Sequence, residues 1–330
     1  MRILIVGPAW VGDMVMSHTL VQVLGQRHPE AEVHLLAPPA TAPVARRMPD
    51  VARVWELAVG HGELGLRRRW RLARALRDAR FAQAIVVPNS FKSALVPWLA
   101  RIPARIGWHG EQRYGVLTDR RRLDPLRTPL QVQRFAALGV SARETLPEPL
   151  PVPRLRADEA RGREIAAALK LRTDGPIAVL CPGAEYGPAK RWPEAHFARI
   201  AQHLRENGAH VWLMGSAGDA AVCDRICALG GGDVANLAGR TSLAEAIDLL
   251  SLADRVVCND SGLMHVAAAL GRRVTAIFGS TSDAFTPPLS ADAHVVSLRL
   301  SCSPCFRREC PLGHLDCLRK LAPERVIECL

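Results

Sequence analysis

An acidic residue lies at the first point where the chain changes from strand to helix. In the opening stretch MRILIVGPAWVGDMVMSHTL, an apolar run ends at Gly7, and Gly12 and Asp13 precede an apolar-periodic segment. A carboxylate at this position can stabilise a helix N-terminus. It can also accept a proton from a bound hydroxyl as a general base. The residues alone leave both roles open.

A second candidate site is the stretch CNDSGLMHVAAALG in the other half of the chain. Asp260 ends a predicted strand, Ser261 and Gly262 begin a helix of small residues, and His265 lies one turn further on. A helix N-terminus offers free backbone N–H groups and a partial positive charge, which suits a phosphate. The stretch therefore predicts a diphosphate site. The alternative is a capped helix that contains a packed histidine.

Three more loops in the same half carry polar residues, and the first two of them follow predicted strands. In PGAEYGPAKRWP, Lys190 can neutralise a departing diphosphate, and Glu185 and Tyr186 are its polar neighbours. Asp219 follows the next strand and suits a ribose hydroxyl. Thr241 opens the sequence TSLAEA, where it can also begin a capping box. Each residue therefore has a structural alternative to a binding role.

Five potential metal ligands lie within sixteen residues near the end of the sequence. They are Cys302, Cys305, Cys310, His314 and Cys317. The first pair has the C-x-x-C spacing of zinc sites, but the later spacings are irregular and no second C-x-x-C follows. We therefore expect a packed cysteine-rich loop without metal, and bound zinc is the alternative.

The elements that must position these residues alternate between strands and helices. Strands are predicted at 2–7, 32–37, 53–57, 81–88, 104–108, 177–183, 210–215, 254–260 and 273–279. Helices are predicted at 13–26, 41–48, 65–79, 90–101, 158–170, 193–207, 218–229, 243–252, 261–271 and 322–329. This alternation is typical of parallel sheets covered by helices on both faces.

The predicted helix at 65–79 is rich in arginine. Its periodicity places Leu66, Trp70, Ala73 and Leu76 on one apolar face. We expect that face to pack inward and the arginines to point outward or along its rims.

A proline-rich segment divides the chain. Residues 141–157 contain four prolines and no clear period, which is typical of an interdomain linker. A length of 330 residues fits two domains of ordinary size. We predict domains at 1–150 and 151–330, each Rossmann-like, with their loops facing a shared cleft.

Positive charge is concentrated in the first half. Residues 1–150 contain 22 Lys and Arg against 12 Asp and Glu, whereas residues 151–330 contain 21 against 20. A one-sided basic field attracts nucleic acid, an anionic lipid surface or a phosphorylated substrate, although a genomic bias toward arginine is the alternative. Aromatic residues are only 5% of the chain and no nucleic-acid recognition module is evident, which argues against nucleic acid.

The sequence shows no secretion or membrane-spanning signal. The N-terminus lacks the features of a signal peptide, and no window reaches the ~18 apolar residues of a membrane helix. We therefore expect a cytosolic protein whose nine cysteines are thiols.

Taken together, the motifs resemble those of glycosyltransferase family 9, the heptosyltransferases. The stretches GPAWVGDMVMS, PGAEYGPAKRWP, NDSGLMHVAAALG and CSPC…GHLDC carry the resemblance, which spans essentially the whole chain in the expected order. The second and last of them favour the second heptosyltransferase type over the first. The resemblance implies a GT-B fold of two Rossmann-like domains around a deep cleft, and an inverting transfer without catalytic metal or cofactor.

The resemblance also implies the ligands. They are an ADP-L-glycero-D-manno-heptose donor on the C-terminal domain and, on the N-terminal domain, lipopolysaccharide inner core that already carries its first heptose on Kdo2-lipid A. A basic domain would be drawn to this anionic acceptor, so we expect a cytoplasmic protein peripheral to the inner membrane. Three alternatives stay open: the first heptosyltransferase type, another family 9 heptosyltransferase, and a basic nucleic-acid-binding protein without enzymatic activity.

The same resemblance implies residue roles. Asp13 matches the general base, and Lys190 would stabilise the departing ADP together with the helix that opens at Ser261. The expected donor-binding residues are Glu185, Tyr186, Lys190, Asp219, Thr241, Asp260, Ser261, Gly262 and His265. The first heptosyltransferase type carries threonines at the positions of Glu185 and Tyr186. The expected acceptor-binding residues are Gly12, Arg113 and Arg120, the arginines because they follow a strand end in the basic half.

Overall fold

Short apolar runs form two separate parallel sheets. The structure, a computed structural model, describes residues 1–60 and 63–330. Contacts divide the chain into an N-terminal unit, Met1–Leu155, and a C-terminal unit, Arg156–Leu330. Central strands such as RILIV and IAVLC are buried almost throughout, as parallel strands between two helix layers must be.

The N-terminal unit contains a parallel sheet of order β3-β2-β1-β4-β5-β6. Its strands are β1 (Arg2–Val6), β2 (Glu32–Ala37), β3 (Val51–Glu56), β4 (Gln83–Val86), β5 (Ala104–Trp108) and β6 (Asp119–Arg121). Its helices are α1 (Val11–Arg27), α2 (Ala42–Arg46), α3 (Leu66–Asp78), α4 (Phe91–Leu99) and α5 (Gln131–Ala136). This strand order is that of a Rossmann fold.

The C-terminal unit repeats the arrangement with the order β12-β11-β10-β7-β8-β9. Its strands are β7 (Ile177–Cys181), β8 (His210–Leu213), β9 (Val234–Asn236), β10 (Arg255–Asn259), β11 (Arg273–Ile277) and β12 (Ala293–Val296). Its helices are α6 (Glu159–Ala168), α7 (Glu194–Glu206), α8 (Ala220–Gly230), α9 (Leu243–Leu250), α10 (Gly262–Ala269), α11 (Asp316–Arg319) and α12 (Pro323–Ile327). Short 3-10 helices lie at Pro188–Lys190 and Ala217–Asp219. Counted within each unit, the two strand orders are the same.

The predicted α/β class with two Rossmann-like units is confirmed. Every predicted strand and helix occurs, and its ends lie within two residues of the predicted ones. The sequence analysis missed β6, β9 and β12 at the sheet edges and the short helices α5 and α11. The missed strands are three or four residues long, too short for a periodic pattern to show.

The predicted inward face of α3 is partly wrong. Ala73 and Leu76 are buried as expected, but Leu66 and Trp70 are 55% and 51% exposed. The inward position one turn before Ala73 is taken by Arg69, which is only 5% exposed. The helical period was therefore right, but its phase near the N-terminus was not.

Hydrogen bonds explain why Arg69 turns inward. Its guanidinium donates to the carbonyl oxygens of Leu64 and Lys92, at 2.7 and 2.9 Å. These bonds offset the cost of burying the charge and tie α3 to the start of α4. Burial lowers the pKa of Arg69.

The segment before the unit boundary is fixed to α1. Thr19 and Gln22 donate to the backbone carbonyls of residues 151 and 152, at 3.0 and 2.8 Å. His18 accepts the backbone N–H of residue 154 through Nδ1 at 2.9 Å, and burial lowers its pKa, which favours the neutral ring that can accept. Helix α1 therefore positions both the end of the predicted linker and Asp13.

Candidate active site

The predicted site residues follow the central strands of each sheet. The strand order changes direction between β1 and β4 in one unit and between β7 and β10 in the other. Loops diverge at such a switch point and leave a crevice at the carboxyl ends of the strands. Asp13 lies in the helix after β1, whereas Lys190 and Asp260 follow β7 and β10.

Asp13 occupies the first turn of α1. The helix begins at Val11, and the side chain of Trp10 at the N-cap position makes no capping hydrogen bond. Asp13 is the acidic residue of that turn and is half-buried. The loop before it packs tightly, because a Cβ on Gly7 would lie 2.6 Å from Cε of Met14. A carboxylate on this rigid element is held in place and still reaches solvent.

Lys190, Asp260 and Thr281 form a compact polar cluster in the C-terminal unit. The Lys190 Nζ donates to Asp260 Oδ2 at 2.5 Å, and Thr281 Oγ1 donates to the same oxygen at 2.6 Å. The side chains of Lys190 and Asp260 are both largely buried. The cluster thus holds an ammonium group at a fixed place beside α10. Thr281 was not among the predicted residues, although its loop FGSTSDAF follows a strand.

The start of α10 offers unpaired donors. No side chain caps the helix, and the buried Ser261 Oγ has no hydrogen-bond partner among the described residues. Gly262 is the first helical residue. Such a terminus, with a hydroxyl beside it, fits an anion. His265 is buried one turn further on, and burial lowers its pKa to about 4, so the ring is neutral at pH 7.

Asn259 joins the two ends of the loop that carries Lys190. It is fully buried, its Nδ2 donates to the Pro182 carbonyl at 2.7 Å, and its Oδ1 accepts the Trp192 backbone N–H at 3.2 Å. No sequence pattern indicated this role, because an Asn before an Asp at a strand end is typical of a turn.

Residues 302–321 brace the same loop from outside. The backbone N–H of Ala189 donates to the carbonyl of Arg308 at 3.0 Å, and Trp192 Nε1 donates to that of Leu321 at 3.0 Å. The Tyr186 hydroxyl donates to the carbonyl of Phe306 at 2.8 Å, and Lys190 Nζ lies 5.0 Å from the Tyr186 ring centroid. Glu185, which precedes Tyr186 in the loop, is exposed.

The cysteines of this bracing segment are free thiols. They are Cys302, Cys305, Cys310 and Cys317. In residues 1–60 and 63–330, no three His, Cys, Asp or Glu side chains are placed to hold a metal ion. Burial and the three neighbouring cysteines raise the pKa of Cys317, which favours its protonated form. The contacts of the segment with the Lys190 loop therefore give it a structural role.

Two other predicted donor residues take part in local structure. Asp219 is buried, and its Oδ2 accepts the Ser216 backbone N–H at 2.9 Å and hydroxyl at 2.7 Å. Thr241 lies just before α9, but the capping box uses Ser242 and Glu245, one residue later than expected. Thr241 is half-buried beside that cap.

The two predicted acceptor arginines differ in their surroundings. Arg113 is 1% exposed, and its Nη1 donates to the Pro88 carbonyl at 2.7 Å. Its Nη2 donates to the carbonyl of Trp108. Arg113 thereby connects the loops after β4 and β5, and this argues against direct contact with an acceptor. Arg120 is exposed, with its guanidinium 4.1 Å from the Tyr114 ring centroid.

The Arg113→Met variant tests the structural role of Arg113. We expect it to lower the free energy of unfolding by about 2–4 kcal/mol, because the buried carbonyls of Pro88 and Trp108 lose their donor. Chemical denaturation measures this, and the exposed Arg120→Met serves as the control with an expected change under about 0.5 kcal/mol. Equal effects of the two substitutions would contradict the assignment.

Comparison with known proteins identifies the family. A sequence profile described as glycosyltransferase family 9 (heptosyltransferase) matches residues 69–316. The chain belongs to glycosyltransferase family 9. Its Rossmann-like units are the two domains of the GT-B fold, as predicted from the resemblance.

Individual family 9 proteins are similar over nearly the whole length. Lipopolysaccharide heptosyltransferase 2 of Salmonella typhimurium is 42% identical over 337 residues, with 99% of this chain and 97% of the relative covered. Lipopolysaccharide heptosyltransferase 1 of Pseudomonas aeruginosa is 27% identical, with 97% and 90% covered. The solved structure of E. coli ADP-heptose lps heptosyltransferase II matches with a TM-score of 0.89 and 41% identity, covering 100% of this chain and 97% of that one.

Proposed function

We propose that this family 9 glycosyltransferase moves L-glycero-D-manno-heptose from ADP-heptose to the first heptose of the lipopolysaccharide inner core. The higher identity to heptosyltransferase 2 than to heptosyltransferase 1 supports the second transfer over the first. The structural observation that carries the proposal is the Lys190–Asp260–Thr281 cluster beside the uncapped start of α10.

In this proposal the C-terminal domain binds the donor. The diphosphate lies at the N-terminus of α10, where backbone N–H groups and Ser261 Oγ donate to its oxygens. Lys190 supplies the positive charge, and Asp260 and Thr281 keep its ammonium group in place. The other expected donor contacts are Glu185, Tyr186, Asp219, Thr241, Gly262 and His265.

The chemistry is a single displacement. Asp13 removes the proton of the acceptor hydroxyl as that oxygen attacks the anomeric carbon, and the proton ends on the Asp13 carboxylate. The bond from the anomeric carbon to the phosphate oxygen breaks, and ADP leaves with the electron pair. One displacement inverts the anomeric centre. Lys190 and the α10 N–H groups balance the charge that develops on ADP, which is the task a metal ion performs in other transferases.

The N-terminal domain binds the acceptor at the membrane in this proposal, with Gly12 and Arg120 near the sugar. No helix within the described residues is long and apolar enough to span a bilayer. The excess of 22 basic over 12 acidic residues in 1–150 supports attraction to an anionic glycolipid in the cytoplasmic leaflet.

A transfer assay with a panel of acceptors tests the function. Purified protein is incubated with ADP-heptose and either Kdo2-lipid A or heptosyl-Kdo2-lipid A, and the products are read by mass spectrometry. We expect one heptose to be added to the heptosylated acceptor only. Addition to Kdo2-lipid A alone would assign the chain to the first transfer, and duplex DNA binding without any transfer would contradict the enzymatic role.

A further inference from the structure

The outward side of α3 and α4 combines large apolar side chains with arginines. Trp70 on α3 and Trp98 on α4 are 51% and 45% exposed, and Phe91 at the start of α4 is exposed as well. Leu64 and Leu66 are exposed beside them in sequence. We call these five side chains, with Arg67, Arg71 and Arg74, the α3–α4 surface. Scattered apolar residues are normal on proteins, but three aromatic side chains on two adjacent helices need an explanation.

The two helices form one continuous surface. Both pack on the same side of the N-terminal sheet, since Ala73 and Ala94 belong to one apolar core with Leu4. Arg69 donates to the Lys92 carbonyl, and Arg77 Nη2 donates to the Leu99 carbonyl at 2.6 Å. Contacts at both ends make α3 and α4 parallel neighbours, so their exposed aromatic residues belong to adjacent helices on the same layer.

The charge of α3 is strongly one-signed. The helix contains six arginines and one acid, Asp78. Only Arg69 turns inward, and Arg67, Arg71 and Arg74 are all exposed. In the described part of the chain no carboxylate lies within ion-pair distance of these three. Arg74 stacks over Trp70, with its guanidinium carbon 4.9 Å from the ring centroid.

We propose that the α3–α4 surface docks the protein on an anionic lipid bilayer. Tryptophan suits the boundary between headgroups and acyl chains, and arginine binds lipid phosphate. Nucleic acid would use the arginines, but exposed leucines gain nothing from a phosphate backbone. Phe91 begins α4 after β4, at the same sheet edge from which α1 and Asp13 extend from β1. Trp98 lies near the other end of α4, so docking places the side of the α3–α4 layer against the bilayer, with the carboxyl edge of the sheet at one end of the docked face.

This inference deepens the proposed function, because a lipid-linked acceptor gives docking its purpose. Vesicle binding is measured without donor or acceptor and therefore does not depend on heptose transfer. The docking proposal and the proposed transfer can thus fail independently of each other. The test is co-sedimentation of the protein with phosphatidylcholine vesicles that contain or lack about 30% phosphatidylglycerol. The experiment is done at about physiological ionic strength. We expect binding to the anionic vesicles and little to the zwitterionic ones.

Matched variants locate the surface. Arg67→Gln/Arg71→Gln/Arg74→Gln should weaken binding to anionic vesicles about 100-fold, since each basic residue near such a surface contributes about five-fold. Trp70→Ala/Trp98→Ala should weaken it about ten-fold or more. The control carries three Arg→Gln substitutions on the C-terminal unit, at the exposed Arg163, Arg172 and Arg325, and so has the same change in net charge. Its affinity for anionic vesicles should stay within about three-fold of that of the parent.

Three results would overturn the inference. The first is equal binding to both vesicle types, and the second is an equal loss of vesicle binding in the control variant. The third is binding to duplex DNA that is tighter than binding to vesicles, is lost in the arginine variant and is kept in the tryptophan variant. Thermal unfolding of the two arginine variants should match the parent, because their substituted side chains are exposed. The tryptophan variant should still unfold in one cooperative transition, because about half of each ring already lies in solvent. Transfer to a deacylated, soluble acceptor should also be kept by the tryptophan variant, whereas transfer to vesicle-embedded acceptor should fall.

Discussion

The Asp13→Asn substitution is expected to lower kcat about 100- to 10,000-fold, the range a positioned general base contributes. The amide has nearly the shape of the carboxylate and keeps its place in the first turn of α1, but it cannot take up the acceptor proton. The KM for ADP-heptose should change little, because the donor is proposed to bind the other domain. Steady-state kinetics with heptosyl-Kdo2-lipid A measure both constants.

The control for Asp13 is Glu30→Gln, which removes one negative charge from an exposed position beyond the other end of α1. It should leave kcat within about two-fold, as surface changes away from a site usually do. If Asp13→Asn also kept kcat within about three-fold of the parent, some other group would have to act as the base.

The Lys190→Met substitution is expected to lower kcat about 100- to 1,000-fold, which is typical for the loss of one group that stabilises developing negative charge. ADP should also bind more weakly, because the diphosphate loses its cation. Kinetics and calorimetry of ADP binding measure the two effects. The exposed Lys170→Met is the control and should change neither.

A double substitution separates the chemical role of Lys190 from a structural one. Lys190→Met leaves the buried Asp260 carboxylate with the Thr281 hydroxyl but without its cation, so the protein should lose stability. Adding Asp260→Asn removes the unpaired charge and should restore much of the stability without restoring kcat. Recovery of activity together with stability would show that Lys190 acts only by neutralising Asp260.

Parallel sheets make the location of the candidate site predictable from sequence. Strand-to-helix loops of a Rossmann-like unit gather at one edge, so the loops of Asp13, Lys190 and Asp260 could be assigned to the carboxyl ends of their strands from the strand–helix alternation alone. The strands β1, β7 and β10 could also be predicted, because their sequences are strongly apolar. The order of the main elements and the loops that carry polar residues were therefore predicted correctly.

Features that depend on tertiary contacts were not predictable. Arg69 turns inward because two backbone carbonyls from outside its helix accept its hydrogen bonds, and no periodic pattern encodes those partners. Asn259 and Thr281 belong to the candidate site because each makes a hydrogen bond to a residue that is distant from it in sequence, Trp192 and Asp260 respectively. The misplaced cap at Thr241 is a smaller error, because threonine and serine are adjacent there and both suit an N-cap.

The bracing of the Lys190 loop by residues 302–321 has a consequence for biosynthesis. A ribosome completes every strand of both sheets, through β12 at Ala293–Val296, before it adds the segment that supports this loop. The Lys190 loop therefore gains this support only after the strands of both sheets have been synthesised. A polypeptide that stops near residue 300 would lack the backbone partners of Tyr186, Ala189 and Trp192. It would also lack Leu318, Leu321 and Val326, which are buried in the core of the C-terminal unit.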